Sequence, residues 1–263
     1  MKKISFLLAL IAVFFTGIAL ASAGVTTLNG TAQVQRGTAP AHALRLGDEV
    51  NQGDTISTGA NSSIVLKFDD GHVAALTSNS RMTINAYEYD PQSQKGNVLL
   101  SLISGGMRTI TGLIGHNSPE RVAYRAANAT IGIRGTDISI VTDLGTVVVT
   151  VNDGEISFKL DDCTITVPTG QGLNAPQGVS GRPGCQFPLA AAQQIVAQLP
   201  ANLAAAIGGL QGLTDAINQA APGTPRSGSG GVLSGTGGTL GGGVTGGGTG
   251  GGGGTGPQPG SPH

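Results

Sequence analysis

The sequence predicts an all-β domain, and three observations carry the prediction. Between Gly47 and Leu160 short apolar runs recur with every second residue apolar, the period of a half-buried strand. Turn formers punctuate those runs at short intervals, among them "DDG" at Asp69 to Gly71, a strong hairpin signal between two apolar stretches. No alternation of strand and helix patterns appears in that span, which disfavours a parallel α/β architecture.

Each element follows in chain order. "SIVLKF" places Ile64, Leu66 and Phe68 on one face, and after "DDG" the chain returns as "HVAAL". "RMTINAYEY" aligns Met82, Ile84 and Ala86, and "NVLLSLI" aligns Val98, Leu100 and Leu102. "TVVVTV" offers Val147, Val149 and Val151; "NDG" (Asn152 to Gly154) then predicts a turn into "EISFKL", where Ile156, Phe158 and Leu160 share a face. The stretch "ATIGIRGTDISIV" is less regular. Ile131 and Ile133 are odd-numbered, Ile138 and Ile140 even-numbered, so a strict strand sends the two pairs to opposite faces. One extra residue at Gly135, in a left-handed β-bulge, brings all four to one side. "GIRGTD" is therefore read as a bend. It lacks the Lys-Ser/Thr and following helix of a phosphate loop. Arg134, beside the bulge, is read as a surface or ion-paired residue, with an alternative role as a fork offered to a partner's carboxylate.

The ends differ from this core. "MKKISFLLALIAVFFTGIALASAG" joins two lysines, an apolar run and the small residues Ala21 to Ala23. That is the pattern of a secretory signal, and the expected cut lies between Ala23 and Gly24; an uncleaved anchor is the alternative. The last segment, from residue 223 to 263, is dominated by glycine. It buries too little apolar surface to offset its ordering entropy, so it is expected to be a disordered tail. Residues 24–46 are assigned to an N-terminal extension of the β domain, 47–160 to the domain itself, 161–186 to a loop region and 187–222 to a helical segment. In that segment Ile195, Leu199, Leu203, Ile207, Leu210 and Ile217 fall near helical spacing. Pro200 is expected to divide it.

Composition excludes several functions. The net charge is −1, there is no Trp, and no basic stripe interleaves with aromatic residues, so a nucleic-acid partner is not expected. The two cysteines, Cys163 and Cys185, are expected to be bonded in an exported chain, closing a loop worth about 3 kcal/mol in the chain-entropy model. His42, His72, His116 and His263 are scattered, with no metal-ligand spacing and no nucleophile elbow. Asp69 and Asp70 fall in a turn, and His72 is expected there as a solvated residue. No catalytic, cofactor or metal site is expected, and an exported hydrolase is a weak alternative.

Six pieces in fixed order carry a resemblance: "GDTISTG", "FDDG", "SNSRMTI", "LISGGMRTITG", "ATIGIRGTDISIV" and "VVVTVNDGEISF". Together they resemble the FecR domain family across Gly47 to Leu160. The resemblance implies a periplasmic all-β module, solenoid-like or built of twisted packed sheets. It also implies a signalling role, relaying the state of an outer-membrane transporter to a cytoplasmic sigma factor. Only Met1 to Lys3 precede the apolar run, so the domain is expected without the cytoplasmic relay. The resulting expectation is a non-enzymatic envelope protein that binds an envelope protein or cell-wall component and keeps no membrane span after processing. The other reading is a structural component tethered through the glycine-rich tail.

Overall fold

The computed structural model describes residues 21–178 and 187–220. The apolar leader, Cys185 and the glycine-rich tail lie outside those residues. Strands β1 (Ser22–Asn29), β2 (Ala32–Arg36), β3 (His42–Ala43), β4 (Glu49–Asn51), β5 (Asp54–Thr58), β6 (Ser63–Phe68), β7 (Val73–Leu76) and β8 (Arg81–Asp90) precede three much longer neighbours. These are β9 (Lys95–Ile110), β11 (Ala129–Asp143) and β12 (Thr146–Leu160), with β10 (Val122–Ala126) between the first two. β13 (Cys163–Pro168), β14 (Gln171–Ala175) and β15 (Ala190–Ala191) close the strand set.

All strands join in one hydrogen-bonded network, yet the network makes two layers because the long strands change partners midway. The first half of β9 pairs with β8 and, in parallel, with β10; its second half pairs with β7 and β11. β11 passes from β10 to β9 at its bulge, and β12 passes from β14 to β13. One layer therefore runs β4-β1-β6-β7-β9-β11-β12-β14-β15, and the other β3-β2-β5-β8-β9-β10-β11-β12-β13. Ile64, Leu66 and Phe68 of the first pack in one core with Met82, Leu100, Leu102 and Phe158 of the second. The all-β reading is the fold, with the strands in one large sheet that bends into two layers.

The bends fall on glycines. Gly105, Gly135 and Gly154 all have positive φ, at 85°, 58° and 83°, a region glycine enters without a Cβ clash. The register of β11 against β12 shifts between Arg134 and Asp137, so Gly135 is the expected bulge, and Ile131, Ile133, Ile138 and Ile140 all reach the same core. A Cβ on Gly154 would sit 2.2 Å from the Gly135 carbonyl oxygen. "NDG" is thus not a turn: β12 runs straight through it, and Gly154 lets it bend against the bulge. The hairpin turn is instead Leu144–Gly145, both at positive φ, between the paired Asp143 and Thr146; that backbone is the two-residue turn that follows strand twist.

Two further expectations change. Ala86 does not continue the face of Met82 and Ile84. The register shifts between Ile84 and Ala86, and Tyr87, 3 % exposed, turns inward instead. Residues 161–186 are not wholly loop, because Cys163–Pro168 and Gln171–Ala175 are strands that bury Val167, Leu173 and Ala175. The expected boundary at Ala23–Gly24 falls inside β1.

Helices cover one layer only. Helix α1 (Leu113–Asn117) and a 3-10 turn (Pro119–Arg121) carry the chain from β9 across to β10. Pro200 separates α2 (Ala192–Ala197) from α3 (Ala201–Gly212), and α4 (Thr214–Ala220) follows. Leu203, Ile207 and Leu210 pack on Val141 and Val148; Leu213 and Ile217 pack on Val65, Val73 and Ala75. Glycine lets α3 lie close: a Cβ on Gly106 would stand 3.4 Å from Leu210, and one on Gly209 3.1 Å from Thr77. The first layer is thus apolar on both faces. The second keeps its outer face in solvent. Among the described residues no helix is long and apolar enough to cross a membrane.

Candidate functional site

The open outer face of the second layer is a polar ladder. Register places Gln35, Thr55, Thr83, Ser101, Arg125, Thr130, Lys159 and Thr164 in one row across the strands. Strands spaced at about 4.8 Å make Arg125 and Lys159, with Thr130 between them, neighbours at roughly 10 Å. A parallel row sets Leu99, Ala123, Gly132, Ser157 and Thr166 together. Arg134 stands two positions beyond Gly132, opposite Glu155. Thr and Ser suit this surface: they favour pleated backbone, hydrogen-bond across strands as Thr55 and Thr83 do at 2.9 Å, and remain soluble.

Charge on the face is uneven. Arg81, Arg125, Arg134 and Lys159 are exposed, as is Ile103 at 54 %. Glu155 answers only Arg134, at 3.6 Å, with the Arg134 side chain 78 % exposed. An exposed pair of that length contributes little to stability. The bulge beside it is satisfied internally: Thr136 N–H donates to the Thr111 hydroxyl at 2.9 Å, and Thr111 N–H donates to the Thr136 carbonyl at 3.0 Å. Gly132 faces the Ser157 side chain, 2.6 Å from where its Cβ would be.

Edges reinforce the location. The outermost strands are β3 and β15 with two residues each, β4 with three, and β13 with six. Short edge strands resist unwanted pairing. β13, whose ladder runs along β12, is the long exception and borders the Lys159 and Ser157 end of the polar face. Cys163 opens it, 5 % exposed and opposite Leu160; its expected partner Cys185 lies outside the described residues.

Two buried polar groups were not foreseen as such. His72 is fully buried rather than solvated. Its Nε2 is 2.8 Å from the Thr109 hydroxyl, which also donates to Tyr124 at 3.2 Å, while Nδ1 finds no protein partner. Burial lowers the His72 pKa from its ordinary value, with nearby Asp70 opposing that shift. Burial raises the Tyr87 and Tyr124 hydroxyl pKa values well above the ordinary range. Asp70 is spent on structure: it accepts from His72 N–H at 3.1 Å, Tyr87 Oη at 3.3 Å and Ile114 N–H at 3.3 Å. A Cβ on Gly112 would stand 2.5 Å from its Oδ2. The second group lies under the helices. Arg108 donates through Nε and Nη2 to both oxygens of Asp137, at 2.8 and 2.7 Å, and through Nη1 to Thr214 at 2.9 Å. Asn152 adds a bond to Asp137 at 3.1 Å. The sequence signals for both were slight: a His following "DDG", and an Arg and Asp on strands far apart in the chain.

None of this presents a catalytic constellation. Among the described residues no three His, Cys, Asp or Glu side chains gather to hold a metal ion. A surface concavity of about 620 Å³ brings Glu88, Asp90, Lys95, Ser118, Glu120 and Arg121 together.

Residues 54–157 match the family model described as FecR protein. No curated protein matches the chain. Two crystal structures, each described as a "putative anti-sigma factor" from Parabacteroides distasonis ATCC 8503, are similar at 14 % identity. Their TM-scores are 0.41 and 0.40, over 54 % of this chain and 62 % and 63 % of theirs. The chain thus spans about three fifths of their length. The matched span runs from the start of β5 to Ser157 in β12, so the FecR family match falls on the strands that carry the bends at Gly105, Gly135 and Gly154.

Proposed function

We propose that the chain is an exported, non-enzymatic FecR-domain protein of the bacterial envelope and acts as a signalling-type protein-interaction module. Its partner is a protein with an acidic surface or segment, and it binds the open face of the second layer. The observation that carries this reading is the asymmetry of the two outer faces. One is sealed by helices, whereas the other presents Arg81, Arg125, Arg134 and Lys159 with the acids Glu88 and Glu155, and of these four cations only Arg134 is ion-paired among the described residues, with Glu155. Rim charges of this kind steer association and set specificity more than affinity. The family-model match supports the signalling class, and the apolar leader supports export. A Cys163–Cys185 disulfide belongs to the same reading, because an oxidising compartment permits it; thiol labelling of the native protein without reductant tests it.

The experiment is partner capture from cross-linked envelopes using the full chain and an Arg125→Glu/Arg134→Glu/Lys159→Glu variant. The expected result is loss of capture with unchanged cooperative melting. Undiminished capture by a folded variant removes this face from the function.

A further inference from the structure

We propose that the leader is removed between Ala21 and Ser22, so that Ser22 becomes the N-terminus and its α-ammonium is held by the Asp69 carboxylate. The inference rests on reading the apolar N-terminal run as an export signal. Two frames with small residues at the third and first positions before the cut overlap in "ALASAG": Ala19-Leu20-Ala21 and Ala21-Ser22-Ala23. Both satisfy the recognition rule of a signal peptidase, and spacing alone does not choose between them.

The fold chooses. Ala23 is 0 % exposed and belongs to the inner core, paired with Val50 of β4 on one side and Phe68 of β6 on the other. Ser22 pairs with Asn51. Its N–H donates to Asp69 Oδ2 at 2.7 Å, and Asp69 N–H returns a bond to the Ser22 carbonyl at 3.2 Å. A cut after Ala23 strips both residues from β1, leaves Val50 and Phe68 without a neighbour between them, and breaks the reciprocal Ser22–Asp69 contact. A cut after Ala21 keeps the strand whole.

The chemistry also favours Ser22. An envelope peptidase hydrolyses the Ala21–Ser22 amide with one water: the oxygen goes to the Ala21 carbonyl, which leaves as a carboxylate, and the Ser22 nitrogen becomes an amine. With an ordinary α-amino pKa of about 8, that amine is an ammonium at neutral pH. The amide-to-carboxylate hydrogen bond already aimed at Asp69 then becomes an ammonium–carboxylate ion pair, charged on both sides. Asp69, the outer residue of the "DDG" turn, thereby gains a role that Asp70, turned inward, does not share.

The test is N-terminal sequencing and intact mass of the full chain purified from the envelope of an exporting bacterial host. The expected start is Ser22. A start at Gly24, lighter by the Ser22–Ala23 dipeptide, overturns the proposal while leaving the export reading intact. A start at Met1 overturns it together with the export reading. A second variant, Ala19→Gln, alters the Ala19-Leu20-Ala21 frame and precedes β1 in the chain. It is expected to abolish the Ser22 start, with uncleaved precursor accumulating. Processing at the wild-type site and rate in that variant overturns the proposal.

Discussion

The two layers follow the same strand period but spend their alternate residues differently. In the covered layer, β6 and β7 bury both parities: Ile64 and Leu66 go to the inner core, Val65, Val73 and Ala75 to the helices. In the open layer, β5 ("DTIST") turns Ile56 inward and Thr55 and Ser57 outward, and β11 ("ATIGIRG") turns Ile131 and Ile133 inward and Thr130, Gly132 and Arg134 outward. A sheet clad by helices needs apolar residues on both sides, and a half-solvated one needs only every second residue. The difference teaches that residues 187–220 belong to the fold of one layer, whereas the other layer was left bare. Surface without a structural duty is where binding residues accumulate at little cost to stability.

Breaking the Arg108–Asp137 pair should have the largest effect, because it joins β9 and β11 in the covered layer and ties down Thr214 at the start of α4. Arg108→Ala strands a buried carboxylate and is expected to cost about 3–5 kcal/mol, read by urea denaturation. Arg108→Met/Asp137→Leu should recover most of that loss, since neither charge is then left alone.

The helix cladding supplies the next comparison. Leu210 is 0 % exposed between α3 and the sheet, and Leu210→Ala should destabilise by about 2–4 kcal/mol. Thr166→Ala on the open face should stay within about 0.5 kcal/mol. Equal effects of the two substitutions would dissolve the distinction between the layers.

A smaller, pH-dependent effect belongs to the shared core. His72 stays neutral when folded because burial lowers its pKa. Below its ordinary value of about 6.5 the unfolded chain takes up a proton that the folded chain refuses. This contribution to stability is therefore complete above that pH and falls as the solution is acidified. Urea midpoints measured from about pH 7.5 down to about pH 5 should decline, with a shallower slope in His72→Gln. Identical slopes would mean that His72 is not the group responsible.

Much of the architecture was legible in the sequence, because it depends on period and glycine. The parity break between Ile133 and Ile138 located the Gly135 bulge, and the alternation in "NVLLSLI" and "EISFKL" located inner-core faces. What was missed depends on partners distant in the chain. "NDG" carries the residues of a turn, but Gly154 sits against the bulged Gly135 carbonyl and bends a continuous strand instead. Ala86 lost its predicted face because Tyr87 reaches inward to the backbone N–H of Asp70, at 3.0 Å. At the candidate site, Arg134 could be singled out from its own neighbourhood. Arg125 and Lys159 could not, because only the pairing through Thr130 makes them one surface.

The most direct test of the division between layers is site-specific photocrosslinking in the native envelope. A photoreactive residue is placed in turn at Thr130 and Ser157 on the open face and at Leu144, 82 % exposed on the β11–β12 turn. The expected result is a discrete protein adduct from Thr130 and Ser157, none from Leu144, and loss of the adduct when Arg125→Glu and Lys159→Glu are added. Adducts of equal yield from all three positions, or adducts that survive the charge reversals, would contradict the account.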